Sequence, residues 1–241
     1  MKGAQKVPGV TARRAKDGGG KAVNLVVKTL IIHWFAMVVL GLTALGQSNA
    51  LYEINFEKAA VGSVPEDFLI LDGRFAVSEE NGNRFLELPG APLDSFAAQF
   101  GPAGIDNVGV SVRIKGTAKG RRYPTFGVGL NGVAGYKLQV SPAKKMLELC
   151  KDQEVKESMP YDWKSGQWTR LKLQVRKVKE SAWKVECKVW AEGMPEPSEW
   201  MITTEEKETP GSGRASVFGS PFSGTPIQFD DFVVSAVQPA R

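Results

Sequence analysis

Beyond residue 50 the chain reads as short runs in which apolar and polar positions alternate. Val108, Val110, Val112 and Ile114 share one parity of 106–116, with Ser111 and Arg113 on the other. The same period sets Phe126, Val128 and Leu130 against Gly127 and Gly129, then Tyr136, Leu138 and Val140 against Lys137 and Gln139. Along 168–178 it sets Leu171, Leu173 and Val175 against Lys172, Gln174 and Arg176. Along 182–190, Trp183, Val185, Cys187 and Val189 oppose Lys184, Glu186, Lys188 and Trp190, and 227–237, "IQFDDFVVSAV", makes a last run. A period of two, broken by Gly, Pro, Asn and Asp, predicts strands with one dry and one solvated face. No stretch of useful length has helical periodicity. The fold class this predicts is all-β: two antiparallel sheets packed face to face. Residues 177–182 read as a hairpin loop, 191–200 as an ordered loop anchored in the core by Trp200, and 205–213 as a solvated turn. Trp163, Trp168 and Trp183 are expected as core or loop anchors.

Residues 1–50 follow another pattern. Basic positions precede the continuous apolar run "TLIIHWFAMVVLGLTAL", and "SNA" puts Ser48 and Ala50 before Leu51. That order predicts a secretory signal peptide over 1–50 cleaved after Ala50, an exported product (secreted or periplasmic), and one domain over 51–241. If uncleaved, the run is just long enough to span a bilayer, so membrane attachment is expected only through this segment.

Setting the leader aside changes the charge. The whole chain carries +5, but the leader holds seven of its 31 basic residues and one of its 26 acidic ones. The remainder is close to neutral, which removes the electrostatic case for a nucleic-acid partner. The only histidine, His33, lies in the leader as well. Ser-His-Asp and Cys-His nucleophile systems and His-ligated metals are therefore excluded from the exported part.

Several stretches carry a family resemblance: "NFE" at 55–57, "GRFAVSEENGNRFLEL" at 73–88, "SGQWTRLKLQV" at 165–175, "KVWAEGMPEPSEW" at 188–200 and "PIQFDDFVV" at 226–234. Together they resemble secreted concanavalin A-like lectin/glucanase domains, in particular laminin-G-like and 3-keto-disaccharide-hydrolase-like bacterial proteins. The resemblance implies a jelly roll of two curved sheets with ligands on the concave one. Because such a fold hosts many functions, three follow as expectations. The first is non-catalytic binding of a glycan or other cell-surface polymer. The second is a carboxylate-dependent carbohydrate hydrolase or lyase using acids such as Glu148 or Glu186. The third is a structural or protein-interaction domain without a small ligand.

"EINFE", 53–57, tests the enzyme alternative, since laminarinase-type glucanases carry catalytic acids on a Glu-x-Asp-x-Glu strand. Here Asn55 replaces the middle Asp and cannot exchange its proton. Tyr52, Ile54 and Phe56 share the inward parity, which sends Glu53 and Glu57 outward. Residues i and i+4 on one strand stand roughly 13 Å apart, against the about 5 Å of a retaining pair. The reading is a first strand with a polar outer face, and no residue is assigned a catalytic role.

For binding, the outward Arg113, Lys137, Gln139, Lys172, Gln174, Arg176, Lys188 and Trp190 are candidates for one groove. An aromatic platform beside forked polar groups suits a pyranose. Trp190 is the platform candidate, with packing under the 191–200 loop as its alternative. Tyr123, beside Arg121 and Arg122, flanks the strand where Gly127 and Gly129 leave room for a ligand. The resemblance further implies a structural Ca²⁺ held by Asp231 and Glu57 near Gly73; the alternative is a strand-end Asp bonded to backbone. Cys150 and Cys187 are the only cysteines, and export makes a disulfide between them an expectation. Their parity argues the other way: Cys150 falls outward and Cys187 inward.

Overall fold

The computed structural model describes residues 49–90, 94–222 and 224–239. The expected signal segment lies, except for Asn49 and Ala50, outside the described residues. No described helix is long and apolar enough to cross a membrane.

Fifteen strands follow one another among the described residues. The first five are β1 (Ala50–Ile54), β2 (Leu69–Asp72), β3 (Ala76–Glu80), β4 (Asn83–Leu88) and β5 (Phe96–Gly104). The middle five are β6 (Val108–Lys115), β7 (Thr125–Leu130), β8 (Tyr136–Ser141), β9 (Met146–Lys151) and β10 (Glu154–Pro160). The last are β11 (Trp168–Lys179), β12 (Ala182–Ala191), β13 (Ile202–Glu206), β14 (Gly213–Ser220) and β15 (Ile227–Ala236). A first sheet runs β13-β12-β11-β6-β15-β4-β3, with β1 also on β15; a second runs β10-β9-β8-β7-β14-β5-β2. All pairings are antiparallel, giving the expected all-β sandwich.

The alternation read from sequence is the alternation of burial. Val110, Leu173 and Val185 of the first sheet meet Val128 and Leu138 of the second in one dry layer. "FDDF" departs from strict alternation because β15 carries a bulge between Asp230 and Val233. Asp231 takes the left-handed conformation there (φ 49°). One extra residue lets both Phe229 and Phe232 point inward. At the other end of the chain β1 stops at Ile54 rather than running on. Phe56 is itself left-handed (φ 61°), and its buried ring meets Phe232 edge-on at 5.2 Å and Phe68 at 5.9 Å. Glu53 and Glu57 are solvent-exposed, as expected for a polar outer face.

One loop differs from expectation, and a second is solvated as expected but held at its base. Trp200 does not enter the core. Lys188 points outward from β12, opposite Lys172, and its Nζ sits 4.5 Å over the Trp200 ring. The same ammonium donates to the Pro197 carbonyl at 2.8 Å and pairs with Glu196 at 2.8 Å. The 192–200 loop thus folds over the outer face of the first sheet, attracted by a cation that alternation had placed in solvent; Lys188 is only 6% exposed. The 205–213 segment is tied down as well. Glu206 accepts from the Tyr136 hydroxyl and Lys151, and buried Asn131 donates to the carbonyls of Ile105 and Gly211.

Candidate functional site

The side chains expected to line one groove divide between opposite faces of the molecule. Arg113, Lys172, Gln174, Arg176, Lys188 and Trp190 belong to the outer face of the first sheet, and Lys137 and Gln139 to that of the second. Alternation separates inside from outside but carries no information on which sheet a strand joins. Tyr123 is exposed in the connection between β6 and β7.

On the second sheet the register aligns Phe218, Gly127, Gln139, Glu148 and Ser158 in one row across β14, β7, β8, β9 and β10. Gly127 does not leave an open slot. A Cβ there would lie 2.5 Å from the tip of the Phe218 ring, so the ring already lies across the glycine, and Ser216 Oγ occupies the corresponding space at Gly129. The expected ligand gap is filled by the protein itself, and what results is a half-buried aromatic plate lying along the sheet. Lys137 Nζ stands 5.8 Å from its centroid. The backbones of β14 and β8 are two ladder spacings apart, roughly 10 Å, and Phe218 reaches across that interval toward Gln139.

The polar end of the row is rigid. Glu148, 5% exposed, accepts from Ser141 Oγ at 2.5 Å, Lys144 Nζ at 2.9 Å and Gln139 Nε2 at 3.0 Å. Burial opposes its charge, but hydrogen bonds from Lys144, Ser141 and Gln139 outweigh burial and hold the carboxyl below its ordinary 4.5. Three donors on one carboxylate fix the amide and hydroxyl orientations, giving a preformed surface for a ligand rich in hydroxyls.

On the first sheet two rows cross. Trp190, Arg170, Arg113 and Asp230 form one; Trp168, Lys115, Gln228 and Glu87 form the next. The Arg113 guanidinium lies 4.7 Å from the Trp168 centroid, and Trp168 in turn meets the edge of Phe85, which is 1% exposed although its parity is outward. Arg113 donates to Asp230 at 2.6 Å and to Glu192 at 2.7 Å, and Asn83 donates to Asp230 at 3.0 Å. Burial raises the Asp230 carboxyl above its ordinary value, with the bonds from Arg113, the Asp231 N–H and Asn83 pulling the other way. Trp168, expected as an anchor, is thus a half-buried plate on the outer face. Its signal was present: it shares the even parity of Arg170 and Lys172. Phe85 and Phe218 carried weaker signals, being single outward aromatics in short runs.

The acids named for a hydrolase stand on opposite faces, Glu148 on the second sheet and Glu186 on the first. Glu186 is consumed by Arg176 (2.6 and 2.7 Å) and Gln174 (2.7 Å). The calcium expectation also fails on donor chemistry. Asp231 pairs with Arg170 at 2.7 Å and lies 3.2 Å from Arg113 Nε, so two guanidinium groups hold the place of a cation. Glu57 is exposed and accepts from the Arg84 N–H at 3.3 Å. The residues do not fit the ion. The disulfide is absent as parity argued: Cys150 and Cys187 are free, in different sheets, one outward and one inward. Burial pushes the Cys187 thiol up to about 12 and raises Cys150 as well, so neither is an active nucleophile.

These carboxylates set a pH dependence. The folded pKa values of Glu148 and Glu186 are lowered, the latter by Arg176 and Gln174 against burial. Stability they contribute is therefore complete above about 4.5 and is lost as pH falls through their folded values. Asp230, raised by burial, acts in the opposite sense: protonating it relieves part of its cost. Glu196 and Glu206, also lowered by their lysine partners against burial, act with Glu148 and Glu186 against the one raised group, so Tm should fall as pH drops from 6 to 3. Glu186→Gln should flatten the profile, read by thermal melts across that range; a profile as steep as the parent's would contradict the assignment.

No family model matches the sequence, and no curated protein matches it. Solved structures do share the fold. A protein of unknown function with galectin-like fold from Bacillus subtilis is 13% identical with a TM-score of 0.51, covering 79% of this chain and 97% of that one. A glycosyl hydrolase family protein from Mycobacterium fortuitum is 13% identical (TM-score 0.50; 77% and 99% covered). A chain described with the endo-acting O-glycanases of human gut microbiota members is 10% identical (TM-score 0.52; 78% and 100% covered). At such identities the likeness defines the class of fold, a galectin-like jelly roll.

Proposed function

We propose that this protein is an exported, non-catalytic glycan-binding sandwich whose binding face is the outer side of the second sheet. The observation that carries the reading is the row Phe218–Gly127–Gln139–Glu148. It sets a flat aromatic plate, which suits the apolar face of a pyranose, beside an amide, a carboxylate, a serine hydroxyl and a lysine locked together. Proteins of the same fold that are named as a glycosyl hydrolase or described with O-glycanases agree with that ligand class. The side chains flanking Glu148 in its row are Gln139 and Ser158 rather than a second acid, which favours holding a sugar over cleaving one.

Affinity electrophoresis through gels containing single soluble polysaccharides, including a mucin-type glycan, tests the proposal with the full chain. Phe218→Ala should abolish retardation in the gel that retains the parent, and Gln139→Ala should weaken it by about tenfold, the loss of one or two net hydrogen bonds. Phe218 is half-buried, so the melting temperature should move little. Retardation unchanged in Phe218→Ala, or absent for the parent across the polysaccharides, would sink the proposal.

A further inference from the structure

A hollow of about 230 Å³ opens on the opposite side of the molecule, at the edge of the first sheet's outer face, lined by Glu80, Lys115, Thr117, Thr225, Pro226 and Gln228. It is smaller than a drug-sized pocket, about 300–1,000 Å³, and so suits one ring rather than an oligomer. Its floor is built. Gln228 is 9% exposed, and its Oε1 is buried with no donor among the described residues, while its Nε2 makes only a long 3.5 Å contact to Glu87. Gln228 thus lines the hollow with hydrogen-bonding capacity left over. At the rim, Lys115 Nζ is held 3.1 Å from Glu80 and 5.9 Å from the Trp168 centroid. Trp168 is itself fixed by Phe85 beneath it and by Arg113 on its ring.

The chemistry of this lining selects its ligand. An acceptor (the Glu80 carboxylate), a donor (Lys115) and the Gln228 amide line one small space. A hydroxyl both donates and accepts, so adjacent hydroxyls on one ring satisfy both kinds. The Lys115 charge is already matched by Glu80, and Glu87 lies next in the row, so an anion would be repelled. We infer that this hollow is a second saccharide site, taking a single neutral pyranose with Trp168 at its margin, and that the protein therefore presents sugar sites on both faces of the sandwich. The site in the hollow does not depend on the row at Phe218; only the two-faced arrangement rests on that proposed function. If both sites hold, the chain bridges two glycan strands without dimerising.

Saturation-transfer NMR with the full chain carrying Phe218→Ala isolates the hollow, using glucose, galactose, mannose and xylose as separate probes. Transfer to at least one sugar is expected, about tenfold weaker after Gln228→Leu or Lys115→Met, as for a lost hydrogen bond to a charged or buried partner. Lys115 is partly exposed and its removal should leave the melting temperature unchanged, so Lys115→Met decides the matter even if Gln228→Leu unfolds. No transfer to any of the four sugars, or transfer unaltered by Lys115→Met, overturns the inference. Loss of transfer to the parent on Phe218→Ala alone would assign all binding to the other face.

Discussion

Asp230→Ala should lower the free energy of unfolding by about 3–5 kcal/mol, the range for removing one partner of a buried ion pair. Asp230 is 1% exposed and accepts from Arg113 at 2.6 Å, from the Asp231 N–H at 2.7 Å and from Asn83 at 3.0 Å. Alanine removes all three acceptor contacts at once. The Arg113 guanidinium then remains over Trp168, with Glu192 and Asp231 as remaining partners; these are half or more than a third exposed and compensate only in part. Two other consequences add to the charge. The Asp230 carboxylate fastens the bulge that turns Phe229 and Phe232 inward, and it links β15 to β4 through Asn83. Denaturant unfolding measures the loss. Pairing Asp230→Leu with Arg113→Leu should recover much of it, because removing both partners leaves no buried charge unpaired. A loss below about 1 kcal/mol for Asp230→Ala would mean that water or Asp231 replaces the carboxylate freely.

That network also marks the limit of what the chain's pattern discloses. The long central strands were legible because their neighbours demand it: β6, β8, β11, β12 and β15 set a dry face against a wetter one, and β7, covered on both faces, keeps the same period through its alternate glycines. β10 is not legible in this way. It lies at an edge, solvated on both faces, and six of its seven residues are exposed, which leaves no dry parity to detect. β5 is obscured by "GPAG", residues that usually end strands. The candidate sites were half legible. Lys137, Gln139 and Arg113 could be placed outward from parity alone. The plates beside them could not be ranked: an outward aromatic looks alike whether it lies over a glycine, as Phe218 does, under an arginine, as Trp168 does, or under a loop. What separates these cases is lateral register between strands distant in sequence, and alternation is silent on register. The same silence merged two faces into one supposed groove.

Gly127→Ala should be among the most damaging single-methyl changes in the molecule, and it should remove the proposed glycan binding together with stability. The added Cβ would lie 2.1 Å from the Leu138 carbonyl oxygen and 2.5 Å from the Phe218 ring. The ring can rotate away; the carbonyl cannot, since Leu138 is paired with Val128 in the centre of the second sheet. Overpacking of side chains alone costs typically about 1–3 kcal/mol, and a backbone clash that must part β7 from β8 should reach or exceed the top of that range. Gly120→Ala is the control: nothing stands within 4 Å of its Cβ position, and only its left-handed φ of 62° is penalised, at about 1–2 kcal/mol. The two obstacles at Gly127 separate in a double variant. Gly127→Ala with Phe218→Ala removes the ring clash but keeps the carbonyl clash, so denaturant unfolding should show only partial recovery relative to Gly127→Ala. Full recovery would mean that the glycine exists solely to seat the aromatic plate, and that the backbone of β7 would tolerate any small residue. Partial recovery, with binding still absent, ties the same glycine to both the ladder and the plate.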